Sequence, residues 1–432
     1  MGARPGAAGS VPGGRAGHNA RMRSVQDHLA TVLAAVGPVA PIDVALRDAS
    51  GCILAHDLVA PHDLPRVAVA TRDGYAVAAH ETAYQATTAE TTLPVAHDVR
   101  PGQGGPLRLV PGQSVRVASG APVPLGADAV VPVEETDRGT ARVTLQRAAV
   151  AGQHVRAAGS DVAAGDVVLA SGTRLGARQL AIAASLGFGR LHVHPTPRVV
   201  LISVGDELVE PGARGVDEGA VFEADGHALE AAVRDAGAQA VRVAIQRDDR
   251  VLLREALEDQ LVRADLVVIC GGLSELVNDT VKDVLAPLGT VRLDQVAMTP
   301  GTRHGFGTVG SDLGRDREVP IFALQGHPVA AQVSFEVFVR PALRSMAGHA
   351  DVFRPSVAAQ ATAGWSSPPG LRQFVPALVL GTPDEGYRVT PVGDPAAPGI
   401  SALAQANALA VVGEQDLAVR AGQTVHCLVL EG

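Results

Sequence analysis

Between residues 198 and 348 the apolar positions follow two alternating rhythms. "RVVLISV" (198–204), "QAVRVAIQ", "ADLVVIC" and "VPIFAL" (319–324) are short runs dominated by apolar residues, as expected of strands buried on both faces. Between them, "GHALEAAVRDAG" (226–237), "DRVLLREALEDQLVRA" and "PVAAQVSFEVFVRPALRSM" place apolar residues at helical spacing. Gly237 closes the first helix, and Pro328 sits in the first turn of the last. Another helix is expected from about Asn278, a good N-cap. Strands alternating with helices predict a mostly parallel sheet with helices on both faces.

The flanks read differently. Ser24 to Val36 has helical spacing and leads into extended structure up to residue 63. Residues 64–150 hold short β-rich runs broken by Pro and Gly, which suits a small β domain. Residues 151–195 pass through turns into a helix ("ARQLAIAASLG") and a short strand. After about residue 350 short strands return. The expected organisation is a tail (1–23), an elongated N-terminal region (24–63 with 151–195), a β domain (64–150), an α/β domain (196–348) and a C-terminal β domain (349–432). Residues 1–21, rich in Gly, Ala and Arg, lack the apolar stretch of a secretory signal and read as a disordered tail or an upstream start, which leaves Met1 and Met22 both open as the beginning.

Composition narrows the possibilities. A chain of 432 residues exceeds one hydrophobic core, in keeping with several domains. No apolar run approaches the roughly 18–20 residues of a membrane helix. A net charge of −9 and a pI near 5.9 argue against an electrostatic nucleic-acid binder. An acidic chain that handles anions needs local donors or a metal ion. Cys52, Cys270 and Cys427 are widely separated and form no CxxC pair, which points to a reduced, cytoplasmic setting. Cys270 ends a buried strand and reads as a small core residue.

In open α/β sheets ligands bind beyond the carboxyl ends of the strands. Four polar segments, three of them with glycine, fall at such ends: "SVGDEL" with Asp206 and Glu207, "QRDD" with Arg247 and Asp248, "GGLSELVNDTVK", and "LQGHP" with Gln325 and Gly326. The third holds Gly271, Gly272, Ser274, Asp279 and Lys282, the only lysine in the chain. Its glycines would let backbone N–H groups approach a ligand, and a helix start with an ammonium one turn on suits a phosphate. The plainer reading of Asp279 and Lys282 is a surface pair worth a few tenths of a kcal/mol. His304 and His327 are further candidates on the ligand side, although loop histidines are commonly structural. In the β region Asp73–Gly74 and Ser119–Gly120 form turns, and the adjacent acids Glu134 and Glu135 follow.

The order "RDGYAV", "SGAPVPLGADAVV…EE", "GSDV", "RVVLISVGDEL", "GGLSELVNDTVK", "PGTRHGFG", "LQGHPVAAQVSFEVFVRP" and "GISALAQANALAVV" resembles the molybdopterin molybdenumtransferase (MoeA) family, to which the gephyrin E-domain also belongs. The resemblance runs from about residue 24 to the C-terminus. It implies a multi-domain α/β plus β protein: a central MogA-like molybdopterin-binding domain flanked by an elongated N-terminal region, a small β domain and a C-terminal β-barrel. It further implies a homodimer with the active site at the subunit interface, fed by a molybdopterin adenylyltransferase. The implied reaction inserts molybdenum from molybdate into adenylylated molybdopterin and releases AMP in the presence of Mg²⁺. Neither nucleic acid nor membrane is an implied partner.

Motif by motif, the resemblance assigns catalytic positions to Asp73, Ser119 (where the family has threonine), Asp161, Glu207, Asp248, Asp279 and Lys282. It assigns cofactor contacts to Gly271, Gly272, Ser274, Arg247, Pro300, Gly301, Arg303, Gly326 and Pro328. Asp206, Glu207 and Asp248 form the implied metal set, since Mg²⁺ favours carboxylates together with phosphate oxygens. The chain also departs from the pattern. Arg72 precedes Asp73, Glu275 and Leu276 interrupt the glycine loop, and Thr299 and Thr302 replace two lysines. Gln325 and His327 alter the "LPGNP" turn, and Phe374-Val375-Pro376 replaces "FxR". These departures leave two readings open: a working molybdenumtransferase, or a divergent relative that binds molybdopterin or a partner without turnover.

Overall fold

The computed structural model describes residues 22–85, 91–103, 107–273, 279–310 and 318–430. They form two compact units, Ala40–Pro195 with Gly348–Ala350, and the described residues of Met1–Val39, Thr196–Ala347 and Asp351–Gly432.

Two sheets of the first unit serve different purposes, and two short two-stranded pairings, Leu58–Val59 with Val167–Leu169 and Val69–Ala70 with Val155–Arg156, accompany them. Ile42–Ala45 and Ile53–Leu54 pair antiparallel with either side of Arg190–His194, so chain from both ends of the unit meets there. The helix Ala177–Ser185 and Leu54, Leu175, Leu191 and Val193 complete that core. Inserted between these segments is a five-stranded sheet, ordered Ala129–Pro132, Gly74–Val77, Ser114–Val117, Thr91–Val99 and Arg142–Leu145. Gly74–Val77 is buried along its whole length because separate cores cover its two faces, one around Tyr75 and Val131 and one around Ala76 and Val115. A Cβ on Gly74 would overlap the Val131 carbonyl oxygen, so this strand closes on its neighbour only with glycine there.

In the second unit a six-stranded sheet carries the site. Gln239–Arg242, Arg198–Val204, Leu266–Gly271 and Val319–Leu324 run parallel, and Arg303–Val309 and Arg292–Gln295 extend it antiparallel. Both faces are covered. Val199 and Leu201 pack with Leu229 and Val233 of the helix Asp225–Asp235. Val200, Ile202 and Val204 pack with Leu253, Leu257 and Leu261 of the helix Arg250–Leu261. This double burial explains the near-continuous apolar runs. The helix expected after Pro328 is Pro328–Ser334 followed by Arg340–Met346, joined by a π turn over Phe335–Val339. That widened turn immediately precedes the residues around Pro341, which has no N–H to donate.

One element is displaced from its expected group. The helix Val25–Ala35, capped by Ser24, belongs to the second unit rather than to the segment that continues to residue 63. Its buried face, Val25, His28 and Val32, packs in the core that contains Phe306 and Phe338. The C-terminal strands close into a barrel, because Ala408–Val412 pairs with both Thr424–Val429 and Arg372–Thr382, while Gly386–Pro391 and Ser356–Ala361 complete the ring. Phe374, Leu403 and Leu409 share a core with Phe335 and Val333, so the barrel is packed against the α/β layer. Met298–Thr299 adds a short parallel pairing to Arg372–Gln373. Among the described residues no helix is long and apolar enough to cross a membrane.

Candidate active site

Beyond the carboxyl ends of Arg198–Val204, Leu266–Gly271 and Val319–Leu324 lies a cavity of about 180 Å³. Glu207, Asp248, Gly271, Gly272, Gly326 and Pro328 line it, so all four strand-end segments contribute. The cavity is smaller than the roughly 300–1,000 Å³ typical of small-molecule sites. It can enclose only part of a pterin nucleotide.

Gly271 and Gly272 are required here for a reason other than ligand approach. Gly271 has φ +91° and a Cβ on it would overlap the Val204 carbonyl oxygen. Gly272 has φ +65° and its Cβ would stand 2.6 Å from Val281 Cγ2. Both glycines therefore let the strand end close against its own neighbours.

Acidic groups gather at this end of the sheet. Asp206 Oδ1 accepts the Asp248 backbone N–H at 3.3 Å. The Asp248 carboxyl is pushed above its ordinary range, by burial first and then by the Asp206, Glu207 and Asp279 carboxylates. Among the described residues no three His, Cys, Asp or Glu side chains close into a ready cation cage. Asp206, Glu207 and Asp248 are thus not a complete ligand set. Their mutual repulsion does fit Mg²⁺ bound through one or two carboxylates plus substrate phosphate oxygens.

Asp279 is the N-cap rather than a first-turn residue. The helix is Thr280–Leu285, and Asp279 Oδ1 accepts the Lys282 backbone N–H at 2.9 Å. Its other oxygen, Oδ2, is buried without a partner among the described residues. Lys282 uses its backbone N–H in that cap; its side chain is exposed and does not line the cavity. The expected pairing of the two side chains on one helix face is therefore replaced by a cap. Arg247 is exposed and also stands off the cavity. Ser274, Glu275, Leu276 and Asn278 lie outside the described residues.

Pro300, Gly301 and Arg303 do not line the cavity. A Cβ on Gly301 would stand 3.4 Å from Gln325 Oε1. His304 is not on the ligand side: it is 2% exposed, and its ring packs edge-on to Phe338 at 5.0 Å. Burial pulls its pKa down to about 4. His327 is exposed at the N-cap of the helix that starts at Pro328.

In the other unit, strand pairing of Gly74 with Val117 brings the flanking turns together. Asp73 Oδ1 accepts the Ser119 N–H at 2.6 Å, and Ser119 Oγ donates to the Thr71 carbonyl at 3.2 Å. Asp73 lines a second cavity of about 510 Å³ with Asp98, Arg100, Arg116, Glu134 and Arg138. Asp161 is apart from this cavity and pairs with Arg156 at 3.1 Å.

Four cleft residues were not singled out from sequence: Ser203, Glu223, Asp225 and, as a polar group, Cys270. Glu223 is buried and accepts from Ser203 Oγ at 3.0 Å and Arg242 Nη1 at 3.2 Å. The Cys270 thiol lies 3.2 Å from Asp225 Oδ2 and 3.4 Å from the Gln325 carbonyl oxygen. Two acids within three residues at a helix start ("FEADG") were the available signal, but such residues usually cap or complement the helix dipole.

Three family models cover most of the chain: the MoeA N-terminal region (domain I and II) over residues 23–187, a probable molybdopterin binding domain over 200–345, and the MoeA C-terminal region (domain IV) over 358–430. Two proteins of Mycobacterium tuberculosis are close in sequence. Molybdopterin molybdenumtransferase 2 is 40% identical over 407 residues, 93% of this chain and 98% of its own. Molybdopterin molybdenumtransferase 1 is 38% identical over 430 residues, 95% and 99% of the two chains. A solved molybdopterin biosynthesis MoeA protein from Pyrococcus horikoshii superposes with a TM-score of 0.82 at 26% identity, covering 95% of this chain and 100% of its own.

Proposed function

The chain belongs to the MoeA family of molybdopterin molybdenumtransferases, and from that premise we propose that it inserts molybdenum from molybdate into adenylylated molybdopterin and releases AMP. It is a transferase of molybdenum cofactor biosynthesis. The observation that carries the reading is the convergence of Glu207, Asp248, Gly271 and Gly326 on one cleft at the ends of the parallel strands.

The chemistry sets the demands on these residues. The phosphoanhydride must be broken while two anions, the pterin phosphate and molybdate, are brought together. Asp206, Glu207 and Asp248 would hold Mg²⁺, which when bound offsets the charge developing on the phosphate oxygens. Burial first, and then its acidic neighbours, push the Asp248 carboxyl above its ordinary range, and a divalent cation bound there would offset that mutual repulsion. Asp279 orders the start of Thr280–Leu285 through Oδ1, and its Oδ2 is buried without a partner among the described residues. The turn of Asp73 and Ser119 supplies a further polar surface.

The chain works, in this reading, as a cytoplasmic homodimer with its active site at the subunit interface, downstream of a molybdopterin adenylyltransferase. Light scattering of the purified protein tests the dimer. Complementation of a molybdenumtransferase-null strain tests the activity: restored molybdoenzyme function at ordinary molybdate is expected. Failure at both ordinary and excess molybdate, with the protein present and folded, would reject it.

A further inference from the structure

Asp225 sits at the inner wall of the cleft in an unusual state for a carboxylate. It is 8% exposed, and its Oδ1 has no hydrogen-bond partner among the described residues. Oδ2 faces the Cys270 thiol at 3.2 Å. Burial, together with Asp225 itself, holds that thiol well above its ordinary range, so Cys270 stays protonated and acts as a donor. The acid beside it, Glu223, is already satisfied by Ser203, the Gly226 N–H and Arg242. Arg242 is also engaged by Glu210. Among the described residues no cation is left to serve Asp225 at close range; His327, exposed at the next turn, acts on it only as a weaker electrostatic neighbour.

A buried carboxylate oxygen without a donor is costly, and native structures rarely leave one so. Asp225 is pushed up to about 6, by burial first and then by Glu223. It is still ionised at neutral pH, and so is a strong acceptor. A phosphate would be repelled from it. The ligand feature that fits is a planar edge of N–H donors.

Resting on the reading that this cleft takes molybdopterin, we propose that Asp225 is a specificity-determining residue that accepts from the amino-pyrimidine N–H edge of the pterin. Cys270 is its positioning residue: by donating to Oδ2 it fixes the carboxylate plane and leaves Oδ1 for the ligand. The pterin ring then lies toward Asp225, and the anionic half of the substrate lies away from it, toward the mouth where Asp248 and Glu207 stand. No bond is made or broken by Asp225.

The test uses the full chain and fluorescence titration with molybdopterin, followed by competition with pterin and with lumazine, which has oxygen in place of the 2-amino group. Wild type should favour pterin over lumazine by about 10- to 100-fold, the range for one hydrogen bond to a charged group. Asp225→Ala should weaken molybdopterin binding by a similar factor and abolish the preference, and Cys270→Ala should reduce it by a smaller factor. If wild type binds molybdopterin but lumazine competes as well as pterin, or Asp225→Ala keeps the preference, the proposal fails while the reading of the cleft stands. If wild type binds no molybdopterin, both fail. Should Asp225→Ala not fold, the wild-type comparison of pterin with lumazine decides alone.

Discussion

Replacing His28 with leucine should flatten the acid side of the stability profile. His28 is 1% exposed, flanked by Phe338 at 4.8 Å and His304 at 5.6 Å; among the described residues neither ring nitrogen has a hydrogen-bond partner, and Asp294 Oδ2 stands 4.0 Å from Nδ1. Burial, then the charges of His304 and Arg23, lower its pKa from 6.5 to about 3. The folded state thus binds this proton less readily than the unfolded state. Stability from the neutral ring is fully present above pH 6.5 and is lost progressively as pH falls toward 3. Between pH 7.5 and pH 5 the loss is 1.5 pKa units, about 2 kcal/mol, and it hardly depends on the native value so long as that lies below 5. His304, lowered to about 4, adds about 2 kcal/mol by the same argument. Asp225 works in the opposite sense: raised to about 6, it returns roughly 1 kcal/mol as it protonates over this range. Because Asp225 is common to both proteins, its effect cancels in the comparison. The assay is urea unfolding at pH 7.5 and pH 5, followed by fluorescence of Trp365, the single tryptophan, which lies in the same unit as His28. Wild type should lose about 2 kcal/mol more than His28→Leu over this interval. Equal losses would refute the account of the buried pair.

Other substitutions probe the cleft. Gly271→Ala should cost at least about 2 kcal/mol in unfolding free energy, since φ +91° and the Val204 carbonyl both oppose a Cβ; a thermal midpoint within a degree of wild type would contradict this. Asp248→Asn should raise the Mg²⁺ concentration for half-maximal AMP release by about tenfold or more, and an unchanged value would remove it from the metal set. At Asp279 the cap and the chemistry separate: Asn caps as well as Asp and should keep the melting temperature, whereas Ala should cost about 1 kcal/mol. Both variants should lose AMP release, and full activity in Asp279→Asn would leave this residue only its cap.

The parallel layer was legible because its physics is local. Arg198–Val204 and Val319–Leu324 appear at the residues where the apolar runs stand, since helices cover both faces. The same spacing predicted the helix at Val25–Ala35, but not that its buried face meets Phe306 and Phe338, far along the chain. At the glycine loop two adjacent good caps, Asn278 and Asp279, were indistinguishable by type, and the helix begins after the second. Asp73 and Ser119 meet because Gly74 pairs with Val117, a register no local pattern specifies. Asp225 and Cys270 are separated by 45 residues, and their contact follows from the packing of the helix at Asp225 over the strand that ends at Gly271. The two glycines were read as letting backbone N–H groups approach a ligand, whereas their crowding comes from Val204 and Val281, which only the folded sheet brings there.

Whether this cleft performs the molybdenumtransferase reaction is decided by AMP release from adenylylated molybdopterin with purified full-length protein, Mg²⁺ and varied molybdate. The account predicts release that depends on molybdate and exceeds an Asp279→Ala control by at least about tenfold, the smallest effect expected from loss of one charge-bearing site residue. Release no greater than that control at saturating molybdate and Mg²⁺ would contradict it.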